Sequence, residues 1–139
     1  MTHHLITAGL AVLGALLLPP AAVDTYPKNP GIDALNYAFT IELSDTTDMI
    51  AGELALDVRF VAAGVRAVRL DLISASATAG GKGMRVSGVT MNGQAVPYTH
   101  ANDVLLVPLA SAPAINQRAR LMVRYQGTPA TGLKIGNNK

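Results

Sequence analysis

The chain has 139 residues, half of them hydrophobic but only 4% aromatic, with no Cys and no Trp. That length suits one domain, and the lack of cysteine excludes a disulfide framework, thiolate chemistry and Cys-ligated zinc. Eleven basic residues against nine acidic leave a net charge of +2, so the sequence pI of 9.2 is no argument for a nucleic-acid partner.

The mean hydropathy of +0.31 is high for a soluble protein, and much of the excess comes from one segment near the start. Met1-Thr-His-His4 precedes a fourteen-residue uncharged run, Leu5–Leu18, which ends in Pro19-Pro20-Ala21-Ala22. An apolar run closed by a helix breaker and small residues matches the core and cleavage region of a secretory signal. A membrane-spanning helix needs about 20 residues, so no stable span is expected. Residues 1–22 are therefore read as a signal-peptide helix cleaved near Ala22, with export to the periplasm or the extracellular space. An uncleaved anchor and a buried terminal helix are the alternatives. His3 and His4 are read as a polar cap on this segment rather than as metal ligands. Residues 23–34, including Tyr26-Pro-Lys-Asn-Pro-Gly31, form a Pro-rich lead-in to a domain over 35–139.

From there the pattern has period two. Leu35, Tyr37, Phe39, Ile41 and Leu43 share one face, with Asn36, Ala38, Thr40 and Glu42 on the other, which predicts a half-buried strand. Ser44-Asp-Thr-Thr-Asp48 is a turn, since short polar side chains bond their own backbone. A second strand puts Ile50, Gly52, Leu54, Leu56, Val58 and Phe60 inward and Glu53, Asp57 and Arg59 outward. The two strands make a long hairpin.

Val68, Leu70 and Leu72 mark a third strand and Met84–Met91 a fourth, in which Gly88 shifts the apolar phase as a bulge would. Asn92-Gly93 is a tight hairpin signal because both residues tolerate positive φ. Short strands follow near Ala95–Thr99 and Val104–Leu109. The last strand sets Ala119, Leu121, Val123 and Tyr125 against Arg118, Arg120, Met122 and Arg124. About seven or more strands with turns between them, and no helical periodicity after residue 24, predict an all-β antiparallel sandwich. Val104–Leu109 is apolar on both faces, which predicts an exposed apolar patch there.

Few residues carry chemistry. Beyond the signal the sole histidine is His100, read as a solvated turn residue beside Ala101-Asn102-Asp103. Ser87 lacks the first glycine of a nucleophile elbow. Ala79-Gly-Gly-Lys-Gly83 lacks the hydroxyl residue that a phosphate loop needs after its lysine, and is read as a hairpin tip. Asp45, Asp48 and Glu53 match no calcium loop. Arg118, Arg120 and Arg124 read as a solvated face, without the interleaved aromatics of a nucleic-acid surface. No catalytic, cofactor-binding or metal-binding residue is assigned. On composition and pattern alone the chain is a scaffold, and a self-sufficient exported sandwich that binds a protein or a glycan is one reading of it.

The order of segments is more specific. Asp24-Thr-Tyr-Pro-Lys-Asn-Pro-Gly-Ile-Asp33, the Tyr37–Leu43 strand and Met49-Ile-Ala-Gly-Glu53 resemble the opening of zinc aminopeptidases of the aminopeptidase N and leukotriene hydrolase type. Leu70-Asp-Leu72, Val89-Thr-Met-Asn-Gly-Gln-Ala-Val-Pro97 and Val123-Arg-Tyr-Gln-Gly-Thr-Pro-Ala-Thr-Gly-Leu133 continue the likeness over residues 25–139. The resemblance implies an N-terminal, saddle-shaped β-sandwich packed on a thermolysin-like catalytic domain of the same polypeptide. In that family the catalytic domain carries zinc on a His-Glu-x-x-His motif and the Gly-x-Met-Glu-Asn loop that binds the substrate amine. Neither motif occurs here. The expectation is a non-catalytic front piece, inactive alone, that meets peptide substrate only through the missing domain.

Overall fold

A computed structural model describes residues 29–131. The proposed signal, the first half of the lead-in and the last eight residues lie outside them. Eight strands follow one another: β1 (Ile32–Glu42), β2 (Ile50–Phe60), β3 (Ala67–Asp71), β4 (Gly83–Met91), β5 (Gln94–Ala95), β6 (Thr99–Ala101), β7 (Val104–Pro108) and β8 (Arg118–Thr128). They form a five-stranded sheet in the order β1-β2-β8-β4-β5 and a three-stranded sheet in the order β3-β7-β6, with every ladder antiparallel. The described residues contain no helix. The all-β antiparallel sandwich expected from the period-two pattern is the fold, and β1 starts inside the segment assigned to the lead-in.

The inner face of the larger sheet follows the predicted phase of β2. Leu54, Leu56, Val58 and Phe60 are buried there beside Ala119, Leu121 and Val123 of β8 and Val89 of β4. Val68 of β3 with Leu105 and Val107 of β7 closes the core from the smaller sheet. Alternation places these side chains on one side of each strand, so a single apolar layer fills the gap between the sheets. The register of β4 against β8 slips between Val86 and Gly88, leaving Ser87 as the extra residue of a bulge. Its hydroxyl donates to the Arg124 carbonyl. The slip returns Val89 to the core face, which is the phase shift read at Gly88.

Two tight turns behave as their residues dictate. Asn92 and Gly93 both take positive φ and join β4 to β5; Asn102 and Asp103 do the same between β6 and β7. Gly83 has φ 118, and a Cβ there would strike the Ser74 backbone, so glycine is required. Three expectations are corrected. The strand expected over Ala95–Thr99 is two short strands in different sheets, because the chain crosses between layers at Val96-Pro97-Tyr98. In β7, Leu105 and Val107 are buried and only Leu106 is exposed among its leucines and valines, so the strand alternates after all. The exposed apolar face lies instead on β1.

Candidate interaction face

β1 is the edge of the larger sheet. Its register puts Tyr37 beside Leu56, Phe39 beside Leu54 and Ile41 beside Gly52, so these three share the core-facing side of the sheet. They are nevertheless exposed, Phe39 at 59% and Leu43, just beyond the strand, at 70%. The cause is layer width: the smaller sheet ends at β3 and does not reach across to β1. Leu35 does not join the stripe. A register shift between Ala34 and Asn36 makes it the extra residue of a bulge, beside Asn36, Asp57 and Arg120. The half-buried strand read from this alternation is thus an exposed edge strand.

The uncovered strip forms a groove of about 520 Å³ between β1 and β3. Tyr37 and Phe39 form one wall, their rings stacked with centroids 6.1 Å apart and planes 5° from parallel. Leu70 and Leu72 form the other, and Leu54, Leu105 and Val123 the floor. At one end the Tyr125 ring lies across Gly52, so close that any Cβ on residue 52 would overlap it. Burial pushes the Tyr125 hydroxyl above the usual phenol range. Arg69 and Asp71 form an ion pair of 2.7 Å on the rim. An exposed, contiguous apolar strip beside a groove is the kind of surface that marks an interaction site.

The opposite face of the larger sheet is polar and largely self-satisfied. Arg120 grips Asp57 with two hydrogen bonds of 2.7 and 2.8 Å. Arg124 reaches Glu53 at 2.7 Å, and Arg59 reaches Asp33 at 2.6 Å. The Arg120 hydrogen bonds hold the Asp57 carboxyl below the usual aspartate range, and the same bonds raise the guanidinium. Of the three arginines read as a solvated face, Arg120 and Arg124 are therefore exposed but paired across the β2–β8 ladder.

The other residues singled out in the sequence do not converge. His100 sits on β6 rather than in a solvated turn, partly buried, with its Nε2–H donating to the Leu72 carbonyl at 2.8 Å. Beside it the Ser74 amide donates to the Asp103 carboxylate and the Asp103 amide to the Ser74 hydroxyl. These bonds pin residues 72–74 to the β6–β7 turn. The glycine-rich tip is a closed turn in which the Ser76 carbonyl accepts from the Ala79 and Gly81 amides. Among the described residues no three or more His, Asp or Glu side chains are grouped so as to hold a metal ion. No helix among them is long and apolar enough to cross a membrane.

No family model and no curated protein sequence matches the chain. Solved structures do. The crystal structure of an M1 zinc metallopeptidase from Deinococcus radiodurans is similar at 25% identity and a TM-score of 0.60, over 72% of this chain. The likeness is to the M1 zinc metallopeptidases. A mutant of the Deinococcus enzyme bound to a Tyr-Ser-Ala substrate gives 25% identity and a TM-score of 0.59 over the same share. A two-domain M1 zinc metallopeptidase mutant bound to L-arginine shares the fold at 23% identity, over 78% of this chain. The chain spans about a fifth of these M1 structures, 21–22% of their length, as an N-terminal domain would.

Proposed function

We propose that the chain is the non-catalytic N-terminal domain of an exported M1-type zinc metallopeptidase. Its role is to pack against a catalytic domain of the same polypeptide and to help shape the peptide-binding site there. The zinc, the catalytic residues and the substrate-amine loop belong to that domain, and peptide reaches this chain only through it. One observation carries the reading: a domain with the architecture of one fifth of an M1 enzyme presents an uncovered apolar strip along β1. A free-standing secreted module would be expected to cover or charge such an edge. The apolar Leu5–Leu18 run ahead of the domain supports export.

The deciding experiment is to sequence the gene past codon 139. A continuing frame that encodes His-Glu-x-x-His supports the proposal. A stop codon there, with a purified chain that stays monomeric at high concentration, overturns it in favour of a self-sufficient binding module. Intact-mass analysis of the exported protein tests the signal, with loss of residues 1–22 expected and retention of Leu5–Leu18 refuting export by cleavage.

A further inference from the structure

The outer edge of β1 offers main-chain groups as well as apolar side chains. The Phe60 amide donates to the Gln117 carbonyl and the Phe60 carbonyl accepts from the Asn116 amide, so Phe60 faces β8. Alternation then turns Asp57, Ala55 and Glu53 toward β1, where they meet Asn36, Ala38 and Thr40. Tyr37, Phe39 and Ile41 therefore point their N–H and C=O groups away from β2, at the sheet edge. No strand among the described residues pairs with that side. The other edges are short or charged: β5 and β6 have two and three residues, and β3 carries Arg69 and Asp71. β1 instead runs without a bulge from Asn36 to Glu42, with Glu42 its only charge there and no proline.

We propose that β1 pairs antiparallel with β1 of a second copy, about a two-fold axis at Phe39, joining the two larger sheets into one. A strand edge is its own complement under such an axis. The bulge-free run Asn36–Glu42 is centred on Phe39, which sets the register. Phe39 then meets Phe39, Tyr37 meets Ile41 and Asn36 meets Glu42, so no like charges face each other. The three outward-pointing residues of each copy supply about six main-chain hydrogen bonds. Tyr37, Phe39 and Ile41 are 52%, 59% and 51% exposed. Lateral contact hides at most about 100 Å² of each, roughly 600 Å² in all. A standard interface buries about 1,200 Å² or more, so the dimer is weak and forms above about 100 μM. Pairing at the edge leaves the groove side of the strip open, where the proposed partner domain packs. The inference thus goes beyond the enzyme reading, since it concerns the edge of β1 and not its face.

Sedimentation equilibrium and amide exchange on the full chain, from about 5 to 500 μM, test this. The average mass should rise toward twice the monomer's across that range. The Phe39 amide should exchange several-fold more slowly at the top of the range than at the bottom, with the central Leu121 amide protected throughout. Phe39→Lys and Phe39→Glu should each stay monomeric, because like charges would meet at the axis. An equimolar mixture of the two should dimerise again, a rescue that a misfolded variant cannot give. A monomer at every concentration overturns the proposal, as does a dimer that persists in either variant alone or a mixture that stays monomeric. A Phe39 amide protected in the monomer also overturns it and assigns the edge to another segment of the same chain. If the reading frame continues to His-Glu-x-x-His while the chain stays monomeric, this inference falls and the proposed function stands.

Discussion

Leu56→Ala is the sharpest probe of the architecture. Leu56 is 1% exposed at the middle of β2, paired with Leu121 of β8, which has no exposed surface, and with Tyr37 of β1. Truncation removes three carbons, worth about 2.4 kcal/mol at ~0.8 kcal/mol per buried methylene. A cavity term adds to that, because a site walled by two sheets collapses poorly, and the sum falls within the roughly 2–5 kcal/mol span for such substitutions. The half-open β1 side permits some relaxation, which places the loss at about 3–4 kcal/mol. In a domain near 100 residues this lowers Tm by about 12 °C or more. Asp57, one residue on, faces the opposite way, and its partner Arg120 is well exposed. Asp57→Ala should therefore cost far less, since an exposed ion pair is screened by solvent. Urea melts of both variants decide the matter, and equal losses would refute the strand phase on which the fold rests.

Gly52→Ala should destabilise by about 1–3 kcal/mol through overlap with the Tyr125 ring. Adding Tyr125→Ala should recover part of the loss, a non-additivity that a double-mutant cycle measures. The depressed Asp57 pKa means that its contribution to stability is present above the unfolded value of 3.8 and is lost as the pH falls through the lower folded value. Arg120→Met should accordingly flatten the acid limb of the stability curve as the pH falls below the unfolded value of 3.8, read by denaturant melts at each pH. Phe39→Lys, on the exposed strip, should leave thermal stability nearly unchanged and suppress any concentration-dependent increase in mass by light scattering. A large drop in Tm would instead place Phe39 in a covered core.

Local chemistry determined the elements. Period-two alternation marked β1, β2 and β8, because successive side chains of an extended strand must point to opposite faces. Asn92-Gly93 announced its hairpin because both residues accept positive φ cheaply, and the change of apolar phase at Gly88 betrayed the bulge. Each of these signals is carried by residues a few positions apart. What alternation encodes is the side on which a residue lies, and nothing in it says whether another layer covers that side. Tyr37, Phe39 and Ile41 read as half-buried for that reason, yet they are exposed because β1 is an edge strand beyond the reach of the smaller sheet. The same limit hid the crossing at Val96-Pro97-Tyr98, the His100 bond to Leu72 and the Asp57–Arg120 pair, whose partners are 63 residues apart in the chain. Strand order is set by how the assembled sheets bury the most apolar surface, so the groove and its open edge came into being only with the tertiary structure.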